Sequence, residues 1–147
     1  MTAEGITAPE GDQAPVIGWG TFEAEGFGTL WLEWTSKGLL RLAFDRLDEV
    51  GAKEAPVPSV YAEPLTRYFT GQREDFASVP LDLRGTDFQR RVWAALQDIP
   101  WGQVLTYGGV AREIHSPRAM RAVGQANHVN PIPIIVPCHR VVEAGHH

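Results

Sequence analysis

The chain has 147 residues, of which 44% are hydrophobic and 21% charged, and its formal net charge is −5; these values are typical of a globular protein with one domain or two small ones. No window approaches eighteen consecutive apolar residues, which excludes a membrane-spanning helix, and the acidic N-terminus lacks the features of a signal peptide. Because one cysteine cannot form an internal disulfide, and metal sites usually need several Cys or His close together, we expect a reducing, cytoplasmic setting without a metal or cofactor.

The N-terminal half predicts a flexible tail followed by a small α/β domain. Residues 1–15 are rich in Gly, Pro and acids, which is typical of a tail, and we place the domain at residues 16–83. Apolar and polar residues alternate around the turn sequence SKG and predict a hairpin, whose second strand would carry Leu40, Leu42 and Phe44 on one face. Helical spacing in YAEPLTRYFTG then predicts a helix that stops at the glycine.

The C-terminal half, residues 84–147, predicts three helices and carries the positive charge. Its seven arginines outnumber its four acids for a net charge of +3, whereas residues 1–83 have a net charge of −8. Only the C-terminal half would therefore suit a polyanion, although a chance fluctuation over short segments is an open alternative. Thr86 and Thr106 are candidate N-caps for the first two helices, and Ser116, followed by a proline at the first helical position, for the third.

The last two predicted helices form a helix-turn-helix candidate, and the second of them has a face of small residues. These residues are Ala119, Ala122, Gly124 and Ala126. Small side chains allow a close backbone approach, either to a neighbouring helix or to a groove of DNA. Because helix pairs are common, the pattern alone leaves both alternatives open.

The segment NPIPIIVPCHRVV, residues 130–142, contains the only cysteine of the chain. The thiolate is the reactive form of cysteine, and the imidazole of His139 next to Cys138 is a group that can raise the thiolate fraction. Consecutive side chains point apart in an extended chain, so contact through a bridging water is as plausible as a direct hydrogen bond. The three prolines stiffen the backbone and rule out an ordinary central strand. The alternative is an inert buried cysteine beside a surface histidine.

The same segment, with GTDFQRRVWAALQDIPWGQVLTYGGVAREI and SPRAMRAVGQAN upstream of it, resembles the O6-alkylguanine-DNA alkyltransferases, also called methylated-DNA–protein-cysteine methyltransferases. The resemblance covers roughly residues 60–142, with the motifs in the family's order and spacing. It implies an α/β (α+β) fold, in which a small ribonuclease H-like N-terminal domain precedes a mostly helical winged helix-turn-helix alkyltransferase domain. It also implies a monomer that repairs double-stranded DNA by a single-turnover transfer of the alkyl group from O6-alkylguanine to Cys138.

The resemblance assigns a role to five residues. Cys138 would attack the alkyl carbon of a guanine flipped out of the duplex, and His139 would act through a water as the base that helps Cys138 ionise. Asn130 would be the hinge that ties the helix-turn-helix to the active-site loop. Tyr107 would help to rotate the phosphate and donate to the guanine. Arg121 would enter the space that the flipped base leaves.

The resemblance further implies how DNA and base are held. The helix with Ala122, Gly124 and Ala126 would face the minor groove, where little sequence information is available and binding can remain nearly independent of sequence. The main-chain carbonyls of Cys138 and Val141 would accept from the guanine amino group in the base pocket.

The C-terminal sequence departs from the family pattern. Family members usually continue beyond the position of EAGHH with a Gly/Ser-rich loop and a helix whose glutamate orients the histidine. We therefore expect a C-terminally truncated alkyltransferase domain in which His139 is poorly oriented and the activity is weakened. An alternative is a lesion-binding protein without enzymatic activity, although such relatives typically replace the nucleophile.

Two further functions remain as alternatives on the residues alone. A transcription regulator built on the helix-turn-helix would need base-reading side chains along Ser116–Asn127, and the small-residue face argues against it. A cysteine hydrolase would turn over repeatedly and would need an oxyanion site, for which the sequence gives no sign.

Overall fold

The computed structural model describes residues 13–48 and 50–144. These residues form two compact units, and the boundary between the units lies between Leu83 and Arg84. The tail predicted at residues 1–15 lies outside the described residues, apart from its last three positions. Within the described ranges, none of the helices combines the length and the apolar character needed to span a bilayer.

A three-stranded antiparallel sheet and one helix build the N-terminal unit. The strands β1 (Val16–Ala24), β2 (Gly28–Thr35) and β3 (Gly38–Ala43) lie in the order β1-β2-β3, and helix α1 (Ser59–Phe69) packs against β1. The hairpin at SKG and the helix that stops before Gly71 are thereby confirmed. The largest fully buried side chains are aliphatic: Leu30, Leu32, Leu39, Leu42 and Leu65.

Strand β1 is not predicted by the sequence pattern, because glycines interrupt it. Gly20 faces a segment that runs beside the strand, where the N–H of Ala55 donates to the carbonyl of Trp19 at 2.7 Å. A Cβ atom on Gly20 would lie only 2.2 Å from the backbone oxygen of Ala55. The close approach of the two backbones therefore requires a glycine at position 20, and this glycine interrupts the alternating pattern by which a strand is predicted.

The face predicted for the second strand of the hairpin is wrong. The pairing of β3 with β2 skips Leu40, which shifts the alternation by one residue. Leu39 and Leu42 are consequently both buried, whereas Phe44 is 51% exposed. A bulge of this kind depends on the pairing partner and leaves no mark in the local sequence.

Three helices and a pair of short strands build the C-terminal unit. Helix α2 spans Asp87–Gln97, α3 Tyr107–Glu113 and α4 Met120–His128, and the three helices pack on one another. The strands β4 (Leu105–Thr106) and β5 (Val141–Val142) pair in parallel. The architecture is mixed α/β, as predicted.

The predicted starts of α2 and α3 are confirmed. Thr86 forms a reciprocal capping box with the first turn of α2, and the hydroxyl of Thr106 accepts from the N–H of Gly109 at 2.9 Å. Trp93 of α2 is 2% exposed, and its indole Nε1 donates to the carbonyl of Ala126 at 2.9 Å. This bond fixes α4 against α2.

The predicted start of the third helix is wrong. Helix α4 begins at Met120 with Ala119 as its N-cap, and no side chain caps it. His115 adopts a left-handed φ of 61°, which reverses the chain after α3. The carbonyl of Ser116 then accepts from the N–H of Ala119 at 2.9 Å, so the residues expected to start the helix form a turn instead.

Candidate functional site

The cysteine lies in a tight turn and not in a strand. After α4 the chain makes a series of bends and turns until a 3₁₀ turn at Cys138–Arg140, which leads directly into β5. The prediction that the proline-rich run is not a central strand is confirmed. The thiol of Cys138 is free, and the residue is half-buried, so it is accessible without being a mobile surface group.

Asn130 holds the turns that precede the cysteine. Its Nδ2 donates to the carbonyl of Val136 at 2.7 Å, and its Oδ1 accepts from the N–H of Ile132 at 2.9 Å. The same carbonyl of Val136 accepts from the N–H of Cys138 at 2.8 Å. Because both partner residues are fully buried, the amide of Asn130 connects the end of α4 to the backbone on which the thiol sits.

His139 follows the cysteine but does not reach it. Within residues 13–48 and 50–144, neither the thiol of Cys138 nor the imidazole of His139 makes a hydrogen bond to the protein. His139 is an exposed residue, but partial burial of its ring, followed by the nearby charge of Arg140, lowers the pKa of His139 from its ordinary value of 6.5. A neutral imidazole can accept a proton, which is the state that a base requires.

The parallel pair of strands joins the cysteine turn to the start of α3. Leu105 pairs with Val141 and Thr106 with Val142, and Thr106 is also the N-cap of α3. Val141 is therefore buried in β5, 7% exposed, one turn after the thiol. Through this pairing the turn is tied to the two residues that directly precede Tyr107, the first residue of α3.

A cavity of about 1070 Å³ lies beside α3 and α4 and contains three of the predicted site residues. Tyr107, Arg121 and Gly124 line it, together with Gln89, Met120, Gln125, His128, Val129, Glu143 and Ala144. Cys138, His139, Asn130 and Val141 do not line it. The structure therefore brings the predicted residues into two groups, one around the cysteine turn and one around the cavity. The chain connects them through β4, which precedes Tyr107, and through β5, which precedes Glu143.

The small residues of α4 divide between two sides of the helix. Ala122 is exposed and Gly124 is half-buried at the cavity, whereas Ala126 is 2% exposed and its carbonyl is bonded to Trp93. The structure thus shows the use in helix packing for Ala126 and leaves Ala122 outside the core. Ala126 permits helix packing, whereas no large side chain projects from the surface of α4 at Ala122 and Gly124.

Several residues of the site are not found by sequence reasoning. Met120 lines the cavity and is 51% exposed at the start of α4, a position that a single apolar residue inside the predicted helix does not indicate. Gln125 and His128 follow Arg121 at helical spacing, so their place on the cavity side could have been found once the helix was accepted. The described residues contain no group of three or more His, Cys, Asp or Glu side chains that could hold a metal ion.

The arrangement suits transfer of a group to sulfur. A half-buried thiol on a fixed backbone, next in sequence to an imidazole whose pKa is lowered by burial, can attack an electrophilic carbon brought to it. An exposed arginine and an uncluttered helix surface next to the cavity offer binding to a polyanion.

Family models match both units of the chain. Residues 87–147 match the model described as 6-O-methylguanine DNA methyltransferase, DNA binding domain, and residues 19–83 match that of its ribonuclease-like domain.

Individual proteins and solved structures are similar over much of the chain. A methylated-DNA–protein-cysteine methyltransferase of Mycolicibacterium paratuberculosis is 56% identical over 83 residues, which are 56% of this chain and 50% of that protein. A protein of the same name from Methanosarcina mazei is 45% identical over 74% of this chain and 72% of its own length. The crystal structure of Mycobacterium tuberculosis OGT in complex with DNA superposes with a TM-score of 0.79 at 42% identity, covering 87% of this chain and 80% of that one. The chain spans about half the length of the first of these relatives.

Proposed function

Because the chain belongs to the 6-O-methylguanine DNA methyltransferase family, we propose that it repairs DNA by moving the alkyl group of O6-alkylguanine irreversibly to Cys138. The observation that carries the proposal is the cysteine turn. Cys138 is the only thiol of the chain, it is half-buried, and its backbone is fixed by the buried bonds of Asn130 and Val136. Each molecule reacts once, since a thioether does not leave.

The transfer is a nucleophilic substitution at the alkyl carbon. His139 takes the proton of the thiol, through a water because the two side chains are not bonded directly. The thiolate forms the new S–C bond as the C–O6 bond breaks, and the electron pair of that bond returns to the guanine, which takes up a proton. The lowered pKa of His139 supports this role, because the imidazole is then free to accept a proton at neutral pH.

The residues at the cavity would bring the base to the thiol. We propose that α4 enters the minor groove with Ala122 and Gly124 against the DNA, that Arg121 fills the gap left by the flipped guanine, and that Tyr107 steers the adjacent phosphate. The support is that Tyr107, Arg121 and Gly124 line one cavity, and that Arg121 and Ala122 are both exposed on α4. Val141 and Cys138 would receive the guanine amino group at their carbonyl oxygens.

We further propose that the protein works as a cytoplasmic monomer on double-stranded DNA, with residues 84–147 as the alkyltransferase domain and 16–83 as the domain before it. Within residues 84–147 the arginines outnumber the acids, which suits a polyanion, whereas residues 1–83 are strongly acidic. A single acceptor thiol per molecule requires no second copy for the chemistry.

Intact mass measured after incubation with an oligonucleotide that contains O6-methylguanine tests the proposal. We expect the mass of one methyl group in place of one hydrogen, located by peptide mapping on Cys138, with no gain in the variant Cys138→Ala. Bound DNA with an unchanged protein mass would instead establish a lesion-binding protein. Repeated turnover of ester or amide substrates would indicate a hydrolase.

A further inference from the structure

The side chain of Arg140 ties the cysteine turn to a distant part of the chain. Its Nη1 donates to the carbonyl of Ile99 at 2.8 Å, across 41 positions of sequence. Its guanidinium carbon lies 5.7 Å from the ring centroid of Trp101, in the range of a cation–π contact. Ile99 is 3% exposed and lies two residues after the end of α2, so the hydrogen bond is anchored in the buried core of the C-terminal unit.

The bond from Arg140 to Ile99 is the hydrogen bond that a side chain of the turn Cys138–Arg140 makes to the rest of the unit. No side chain caps the turn, and its backbone bonds are all local: from the N–H of Cys138 to the carbonyl of Val136 at 2.8 Å, from the N–H of Arg140 to the carbonyl of Pro137 at 3.0 Å, and from the N–H of Val141 to the carbonyl of Cys138. A 3₁₀ turn has three residues per turn, so its successive side chains point about 120° apart. With the direction of Arg140 fixed on Ile99 and Trp101, the directions of Cys138 and His139 are fixed as well.

We propose that Arg140 is a positioning residue for the alkyl transfer, which aims the thiol and the imidazole by locking the turn onto the segment after α2. The inference rests on the proposed function for its effect on the reaction, but its effect on the turn stands apart from it. Asn130 holds the backbone before the cysteine and Arg140 holds it after, so the nucleophile is fixed from both sides.

The guanidinium has a second consequence, through its charge. Among the described residues, Arg140 is the charged group whose field acts on the imidazole of His139, and it disfavours protonation there. Because its charge is bound to a carbonyl and an aromatic ring, it stays close to the imidazole as part of the fold. An exposed lysine or arginine on a mobile side chain would be screened by solvent and would act less.

The chain offers a matched control in Arg91. Its Nη1 also donates to a backbone carbonyl, that of Ile114 at 3.2 Å, and its guanidinium carbon also lies 5.8 Å from an aromatic ring, that of Phe88. Arg91 makes the same kinds of contact within the same unit but does not belong to the cysteine turn. Arg91 also forms an ion pair with Asp87, 3.3 Å from Nε to Oδ2, so Arg91→Met removes a hydrogen bond and a ring contact like those of Arg140 and one interaction more. Only Arg140→Met should nevertheless affect the thiol.

Amide hydrogen exchange of the full chain tests the positioning without any reaction. We expect Arg140→Met to accelerate exchange of the N–H groups of Cys138 and Arg140 by about 10-fold or more, since a hydrogen bond from a charged donor commonly stabilises a structure by at least one decade in an equilibrium constant. Arg91→Met should leave these two amides as in the wild type. Equal exchange in the two variants would overturn the proposal, even if the wild type were not methylated at all.

The rate of single-turnover methylation of Cys138 as a function of pH tests the effect on chemistry. Arg140→Met should lower the maximal rate about 10-fold to 100-fold, which is the loss expected when a reacting group is displaced by about 1 Å. The acid limb of its profile should move to higher pH, because loss of the cation lets His139 protonate more readily. Arg140→Lys keeps the charge and should lose rate without that shift. A rate and profile equal to those of Arg91→Met would refute the role, whereas a wild type that never gains a methyl would refute only the proposed function.

Discussion

The amide of Asn130 allows the contribution of one side chain to the site to be worked out bond by bond. Replacement by alanine removes the donor to the carbonyl of Val136, at 2.7 Å, and the acceptor for the N–H of Ile132, at 2.9 Å. The carbonyl keeps its bond from Cys138, but the N–H of Ile132 is left without a partner in a residue that is 0% exposed. One lost bond costs about 1 kcal/mol and the stranded donor about 1–3 kcal/mol, so Asn130→Ala should destabilise the C-terminal unit by about 2–4 kcal/mol.

Asn130→Asp sharpens the prediction, because it keeps the shape and changes only the donor. The carboxylate can still accept from Ile132, but its second oxygen faces the carbonyl of Val136 where a donor stood. Repulsion should raise the pKa of this carboxyl in the folded state above the ordinary value near 3.9. The protonated acid can donate, so the variant should be relatively most stable below about pH 4 and lose stability as pH rises through the raised pKa.

Hydrogen exchange of peptides from residues 84–144 at increasing urea concentration, in acid and at neutral pH, measures these free energies unit by unit. Asn127 provides the control, since its Oδ1 is buried and has no hydrogen-bond partner within the described residues. Asn127→Ala lies inside α4 and should be neutral or stabilising. If Asn130→Ala cost less than about 0.5 kcal/mol, or if Asn130→Asp matched the wild type at neutral pH, the assigned bonds would not hold the turn.

Three further outcomes are expected. Thr86→Ala removes the capping box of α2 and should cost about 1 kcal/mol, seen as a lower midpoint in thermal unfolding; an unchanged midpoint would contradict the cap. Trp93→Phe leaves the carbonyl of Ala126 without its donor and should cost about 1–3 kcal/mol by urea unfolding, whereas a cost near zero would mean that the indole bond contributes nothing. The acid limb of the Cys138 methylation rate should have its midpoint below the ordinary histidine pKa of 6.5, because burial and Arg140 keep His139 neutral to lower pH; a midpoint above 6.5 would exclude His139 as the base.

The sequence predicts the local parts of the fold well, because their causes are local. The caps Thr86 and Thr106 act within three residues of themselves, and the prolines before Cys138 exclude a strand by their own geometry. The start of α4 fails for the opposite reason. Ser116 and its proline satisfy the local rule for a helix start, but the left-handed turn at His115 is needed to return the chain to the core.

The rest could not be predicted because it depends on partners far away in sequence. A glycine is needed at position 20 because the backbone of Ala55 passes close to β1. The bulge in β3 follows from the pairing of β3 with β2. Within the site, the residue types of NPIPIIVPCHRVV indicate a nucleophile and a base. The packed helices are needed to see that Arg140 donates to the carbonyl of Ile99. They are also needed to see that Ala126 lies on the buried side of α4.

We propose that these long-range contacts set the reactivity of Cys138. The turn is held by Asn130 from one side and by Arg140 from the other, and β5 after it pairs with Leu105 at the entrance to α3. A short peptide with the sequence PCHRV would keep the thiol and the imidazole but none of these bonds, so its 3₁₀ turn would not persist. The sequence motif therefore supplies the reacting atoms, and the packed C-terminal unit supplies their geometry. Since orientation alone can contribute several orders of magnitude in rate, we assign most of the difference between this cysteine and a free thiol to the fold.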